Sequence, residues 1–366
     1  MSFFSYYYIG ETMKKIFLLF LLIPFNVFAI ETNAHSAILM DMDSNRIIYE
    51  KNIHDVRSVA SISKIMTAVL AIESGKMDDN IIIGEEIKQA YGSGIYIQVG
   101  EEITLRDLVY GLMLRSGNDA ALAIANYVGG DVDSFVIMMN NKAQEIKMTH
   151  TTFNNPSGLD QENGNYSTAY DMALLTSYAM KLDEYKKITG TKNYKLKTNK
   201  NTYDWTNKNK LLKIYKYTTG GKTGFTEKAK RTLVTTASKD NLNLVVVTLN
   251  DGDDWNDHKK LFEYGFNNYT NINILTKGKM NIYNEKYYKE YELYIKNDYN
   301  YPIMNNEKNN LLLTYELYKK IPKNEKIGEI KVKLGDKVLH SEPIYIKDKP
   351  QTKSHKNFID WVKSLW

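Results

Sequence analysis

The 366-residue sequence contains no cysteine, which removes disulfides, thiolate nucleophiles and cysteine-bound zinc together. Histidine is scarce. The six (His35, His54, His150, His258, His340 and His355) are scattered, with no His-Glu-x-x-His segment, so no metal site is expected and all six are expected at the surface. A Gly-x-Ser-x-Gly elbow is also missing, which argues against a Ser-His-Asp hydrolase. The longest apolar run near the N-terminus, Ile16 to Phe25, is interrupted by Pro24. It falls short of the roughly 20 residues a membrane span needs.

That short run has the pattern of an export signal. Met13-Lys14-Lys15 gives a positive start and Val27-Phe28-Ala29 ends in small residues, so residues 1–29 are expected to be a signal peptide, with translation starting at Met13 and cleavage after Ala29. The protein is expected outside the cytoplasm, where a chain without disulfides must be stable through packing alone. With 43% hydrophobic and 25% charged residues, the chain is of ordinary globular composition, and its length suits about two domains. The formal net charge of +5 is unevenly placed. From Asn271 to Trp366 there are 18 lysines, no arginine and 12 acidic residues, a net of +6. Such a region favours anionic surfaces.

Residue patterning divides the chain. Ala37, Leu39 and Met40, the turn Asp43-Ser44-Asn45 and Ile47-Ile48-Tyr49 predict a hairpin. Ile62, Ile65, Met66, Val69, Leu70 and Ile72 repeat with helical spacing up to Gly75. Further helices are expected over Leu105–Leu114, Ala120–Val128, Val132–Ile146 and Tyr170–Met180, and buried strands over Leu233–Ala237 and Leu242–Leu249. Helices between strands imply an α+β domain over residues 30–268, its antiparallel sheet built from both ends of the segment. Beyond Tyr264-Gly265-Phe266, short runs such as Ile272–Leu275, Glu290–Ile295, Leu311–Leu317 and Ile327–Val332 predict a small all-β domain over 269–348. Lys347–His355 reads as a polar linker. After it, Phe358, Trp361, Val362, Leu365 and Trp366 form one stripe of a helix. Residues 349–366 are therefore expected to be a linker and an amphipathic helix, with 355–366 lying on a membrane surface.

Three short motifs carry the candidate chemistry. In Ser61-Ile62-Ser63-Lys64, residues i and i+3 share a helix face, so Lys64 reaches the Ser61 hydroxyl and a desolvated amine there can take its proton. Ser116-Gly117-Asn118 offers a hydroxyl to relay a proton and an amide to hold a substrate amide. Lys222-Thr223-Gly224, on an edge strand, offers charge and a hydrogen bond to a carboxylate, and a glycine that lets an extended substrate approach. Each alone also suits a helix cap or a turn.

Together, in this order, they resemble the penicillin-recognising serine enzymes. The text around them (ASISKIMTA from Ala60, LRSGNDAA from Leu114, FNNPSGLD from Phe153, GKTGFTEKA from Gly221) is similar to the low-molecular-weight D-Ala-D-Ala carboxypeptidases, peptidase family S11. The likeness covers roughly Ser36 to Phe266. It implies a β-lactamase/transpeptidase-like fold for the first domain. It implies Ser61 as acylated nucleophile, Lys64 as proton acceptor and Ser116 as relay, with Asn118, Lys222, Thr223 and Gly224 binding substrate. The backbone N–H groups of Ser61 and Phe225 would form the oxyanion hole. The implied activity is removal of the last D-alanine from wall peptides ending in D-Ala-D-Ala, so regulating cross-linking, with β-lactams as covalent inhibitors. Neither a cofactor nor a nucleic-acid partner is expected. Phe225 stands where some members have histidine, Val59 stands where proline is frequent, and no arginine is evident near Asp251–His258. Two alternatives stay open: a serine β-lactamase, for which no Glu-x-x-Leu-Asn loop is found, and a catalytically silent wall-binding or β-lactam-sensing module.

Overall fold

The structure is a computed structural model and describes residues 30–160, 164–280, 288, 291–318 and 326–348. The expected signal peptide and the amphipathic tail at 355–366 lie outside the described residues. Strand β1 (Ser36–Asp41) pairs with β2 (Ile47–Lys51) through the turn read from Asp43-Ser44-Asn45, in which Asn45 takes a positive φ of 56°. β3 (Arg57–Ser58) leads into a 3₁₀ turn over Ala60–Ser63 and then α1 (Lys64–Glu73). A small hairpin, β4 (Asn80–Ile82) with β5 (Glu102–Thr104), precedes the helices α2 (Leu105–Arg115), α3 (Asn118–Gly129) and α4 (Val132–Glu145). β6 (Tyr166–Ser167) pairs with β3, and α5 (Ala169–Ala179) and α6 (Asp183–Gly190) follow. The hairpin β7 (Asn193–Lys197) and β8 (Thr202–Thr206) and the single turn α7 (Leu211–Ile214) bring the chain back to the main sheet.

That sheet has the order β2-β1-β11-β10-β9, all antiparallel. Its later strands are β9 (Thr218–Thr226), β10 (Lys230–Lys239) and β11 (Leu242–Leu249). Every residue of β1 is buried, because both faces of the sheet are covered. Ile38, Met40, Val245 and Val247 face the large helical core, whereas Leu39 and Leu244 pack against α8 (Asp254–Asn268) at Gly265. Strands that are apolar at both parities follow from burial on two sides.

The chain then enters the C-terminal all-β region. β12 (Tyr269–Leu275) pairs with β15 (Tyr299–Met304), and a five-stranded sheet runs β13 (Gly278–Lys279), β14 (Tyr291–Ile295), β18 (Lys337–Asp348), β17 (Lys326–Leu334) and β16 (Leu311–Leu317). It has its own apolar core around Leu293, Ile295, Ile327, Val332 and Ile344. Arg46, in the turn before β2, reaches this region. Its guanidinium donates to the Pro302 carbonyl (2.6 Å) and Glu307 (2.6 Å) and lies over the rings of Tyr269 and Tyr301.

Two expectations are corrected. Lys347 is not linker: it pairs with Glu292 across β14 and β18. His258 is not a surface residue. It sits fully buried on the first turns of α8, between the hydroxyls of Thr235 (2.6 Å) and Thr248 (3.0 Å), and burial pushes its pKa down to about 3. Residue order does not mark α8, because apart from Trp255 its first seven residues, Asp254 to Lys260, are polar.

Candidate active site

Ser61 lies one turn earlier than a helical reading places it, in the 3₁₀ turn that precedes α1. The i, i+3 relation to Lys64 is kept. Lys64 Nζ lies 3.0 Å from Ser61 Oγ, 2.7 Å from Asn118 Oδ1, and also donates to the Ser157 carbonyl. The lysine side chain is fully buried. Burial, aided by the nearby Lys208 and opposed by Asp119, lowers its pKa to about 7. An amine poised near neutrality can release and accept a proton in the working range.

The Ser157 carbonyl comes from the loop Phe153–Asp160, one of the segments quoted above. Asn155 Oδ1 shapes it by accepting the N–H groups of Ser157 (3.1 Å) and Gly158 (2.6 Å). Gly158 has φ +80°, and a Cβ there would lie 2.1 Å from the Ala60 carbonyl oxygen, so the loop passes directly under the turn that carries Ser61 and only glycine fits. Asp160 closes the arrangement. Its carboxylate accepts from Ser58 Oγ (2.6 Å) and from Thr226 Oγ1, tying β3 and the end of β9 together.

Ser116 and Asn118 are not simply in a loop. Ser116 caps the C-terminus of α2 with φ +66°, and Asn118 opens α3. The left-handed turn between the helices sends both side chains into the site. Asn118 Nδ2 donates to the Tyr91 carbonyl (2.6 Å) while its Oδ1 accepts from Lys64. Lys222, on edge strand β9, is buried, and its Nζ donates to Ser116 Oγ (3.0 Å) and the Thr223 carbonyl (2.7 Å). Burial and then the repulsion of Lys64 and Lys208 drive its pKa well below that of a free lysine. Gly224 lets β9 close on Ser61: a Cβ there would stand 2.4 Å from Thr232 Oγ1 and 3.0 Å from the Ser61 nitrogen. Phe225, the next residue, is 58% exposed.

The structure thus brings Ser61, Lys64, Ser116, Asn118, Lys222, Thr223 and Gly224 to one place. A cavity of about 400 Å³ lies over them, and its lining includes Ser61, Ser116, Thr223, Gly224 and Phe225. Two cations on the lining, Lys208 and Arg231, were not among the expected site residues. Lys208 donates to Ser93 Oγ (3.3 Å). Arg231 lies opposite Phe225 in the β9–β10 register, held by both oxygens of Asp254 and with its guanidinium 5.9 Å from the Trp255 ring. The signal for Arg231 is present in retrospect, since a hairpin after Gly224 must set the residue after Lys230 beside Phe225.

This fold and this constellation of serine, two buried lysines and asparagine define a class, the serine peptidases with a penicillin-binding-protein-like architecture. Comparison with known families places the chain within it. Residues 24–253 match the family model described as D-alanyl-D-alanine carboxypeptidase, peptidase S11, and residues 269–351 match that of the penicillin-binding protein 5 C-terminal domain. The chain belongs to the S11 D-alanyl-D-alanine carboxypeptidases, serine-type hydrolases. It is 31% identical to D-alanyl-D-alanine carboxypeptidase DacF of Bacillus subtilis, the alignment covering 90% of each. It is 27% identical to DacA of Escherichia coli over 92% of this chain and 88% of that one. Among solved structures, penicillin binding protein 5 from Haemophilus influenzae superposes with a TM-score of 0.75 at 28% identity, covering 87% of this chain and 98% of that one. Penicillin binding protein 6B from Escherichia coli gives 0.69 at 28% identity over 87% and 97%.

Proposed function

We propose that the protein removes the terminal D-alanine from wall peptides ending in D-Ala-D-Ala through an acyl-enzyme on Ser61, and that β-lactams acylate the same hydroxyl. The observation that carries this is the 3.0 Å approach of the fully buried Lys64 Nζ to Ser61 Oγ. Neutral Lys64 takes the proton as Ser61 Oγ attacks the carbonyl carbon of the penultimate residue. The oxyanion is stabilised by the backbone N–H groups of Ser61 and Phe225. The proton held by Lys64 passes through Ser116, oriented by Lys222, to the departing amine, which restores the neutral lysine as D-alanine leaves. Water then attacks the ester, with Lys64 again acting as base, and frees the shortened peptide. Asn118 holds the substrate amide, Thr223 donates to the terminal carboxylate, and Gly224 leaves room for the extended chain. Lys222 attracts that carboxylate from beneath. Arg231 and Lys208 stand on the same cavity wall and add positive charge where the carboxylate enters.

The remaining parts of the reading are that residues 1–29 direct export, 30–268 form the peptidase domain and 269–348 the all-β domain. Residues 355–366 then hold the enzyme on the outer face of the membrane, where trimming pentapeptides limits cross-linking. Incubation with a soluble pentapeptide ending in D-Ala-D-Ala, followed by mass spectrometry, tests the reaction. The expected product is the tetrapeptide, with no cleavage by Ser61→Ala. An intact pentapeptide beside rapid turnover of penicillin would favour a β-lactamase instead.

A further inference from the structure

A second cavity, larger than the catalytic one, lies among the described residues. It measures about 750 Å³ and lies at the other end of the main sheet, sharing no lining residue with the catalytic cavity. The turn after β1 (Met42, Asp43), the last turn of α5 (Met180), α6 and the first residues of β9 (Thr219) enclose it. Its volume is that of a small-molecule site. Its charge is not balanced. Lys181, Lys186 and Lys187 line it against one carboxylate, Asp43, which already accepts from Asn243 Nδ2 at 2.8 Å. Lys186 is shared with Asp183 (3.0 Å), a residue 97% exposed, so that pair is screened and weak. Lys181 and Lys187 are exposed and have no acidic partner among the described residues. The sulfur-bearing side chains of Met42 and Met180 add apolar lining to the same cavity.

We infer that this cavity binds a small organic dianion, a dicarboxylate or phosphate ester with an apolar body, whose charges meet Lys181 and Lys187 while the body rests on Met42 and Met180. The two anion types place the same demand on the lysines, so two probes separate them: 2-naphthyl phosphate and naphthalene-1,4-dicarboxylate. Calorimetric titration of the full chain is expected to give saturable binding of one or both, about tenfold or more tighter than inorganic phosphate or 2-naphthol. Lys181→Ala with Lys187→Ala should weaken it by about tenfold or more. The Lys181→Arg, Lys187→Arg pair, which keeps charge at two exposed positions, should retain it. Failure of both probes to bind saturably overturns the inference. So does binding that is undiminished in the alanine pair, which would put the dianion elsewhere, for instance beside Lys208 and Arg231.

Discussion

A serine hydroxyl is a weak nucleophile at neutral pH, so Ser61 needs a base within hydrogen-bond reach, and Lys64 Nζ at 3.0 Å is placed to be one. Burial is what makes a lysine suitable. In water its amine would be protonated throughout the working range, whereas here the pKa falls to about 7. The proposed base is the neutral form. The acylation rate with penicillin is therefore expected to fall as pH drops below about 7, approaching a tenfold loss per unit, because protonation removes the lone pair. A profile flat from pH 8 to 5 would exclude Lys64 as the group that titrates. Lys64→Arg should abolish acylation, since guanidinium stays charged. Lys222→Arg keeps the charge and should preserve part of it. Stopped-flow acylation of both variants decides the point, and equal losses would deny Lys64 a distinct role.

At the scale of elements, the site depends on how closely β9 lies against the turn that carries Ser61. Gly224 faces the Ser61 nitrogen and Thr232, and the Thr232 hydroxyl is committed to the Val59 carbonyl at 3.0 Å. Gly224→Ala has no empty space to enter. The strand or the Thr232 side chain must give way, and overpacking of this kind costs about 1–3 kcal/mol. We expect a lower unfolding midpoint together with a loss of about tenfold or more in acylation rate, because a small displacement at a reacting centre is felt strongly. Unchanged acylation by Gly224→Ala would mean that the close approach is incidental. The same scale shows what could be read from residue order. Helices α1 to α5 and strands β1, β2 and β11 were legible because long apolar periods mark them. The hairpin β7–β8 was not, since Asn193–Lys197 and Thr202–Thr206 are mostly polar and are held by distant partners such as Glu101, which accepts from Thr198 and Tyr203. The three motifs identified the chemistry, but neither the Ser157 carbonyl nor Arg231 has a motif. The Ser157 carbonyl takes its place through the fold of the segment Phe153–Asp160, and Arg231 through the β9–β10 hairpin that sets it beside Phe225.

At the scale of the whole molecule, a peptidase-family segment with its own core is followed by an all-β region with a second core. The proposed membrane helix comes after both. Deleting residues 355–366 should leave cleavage of a soluble pentapeptide unchanged and move the protein from the membrane fraction to the soluble one. Five apolar side chains at roughly 1.5–3 kcal/mol each, if fully buried, suffice to hold an interface even when only partly inserted. Retention of the truncated protein on membranes, or its loss of stability, would make the segment a packing helix instead. The central claim is narrower than any of this: one hydroxyl does the covalent chemistry. Incubating the enzyme with penicillin, measuring its intact mass and mapping the adduct by peptide mass spectrometry tests that claim directly. The account predicts one added penicillin, located on Ser61, and no addition to a folded Ser61→Ala variant. An adduct on any other residue, or labelling that persists in Ser61→Ala, would contradict it.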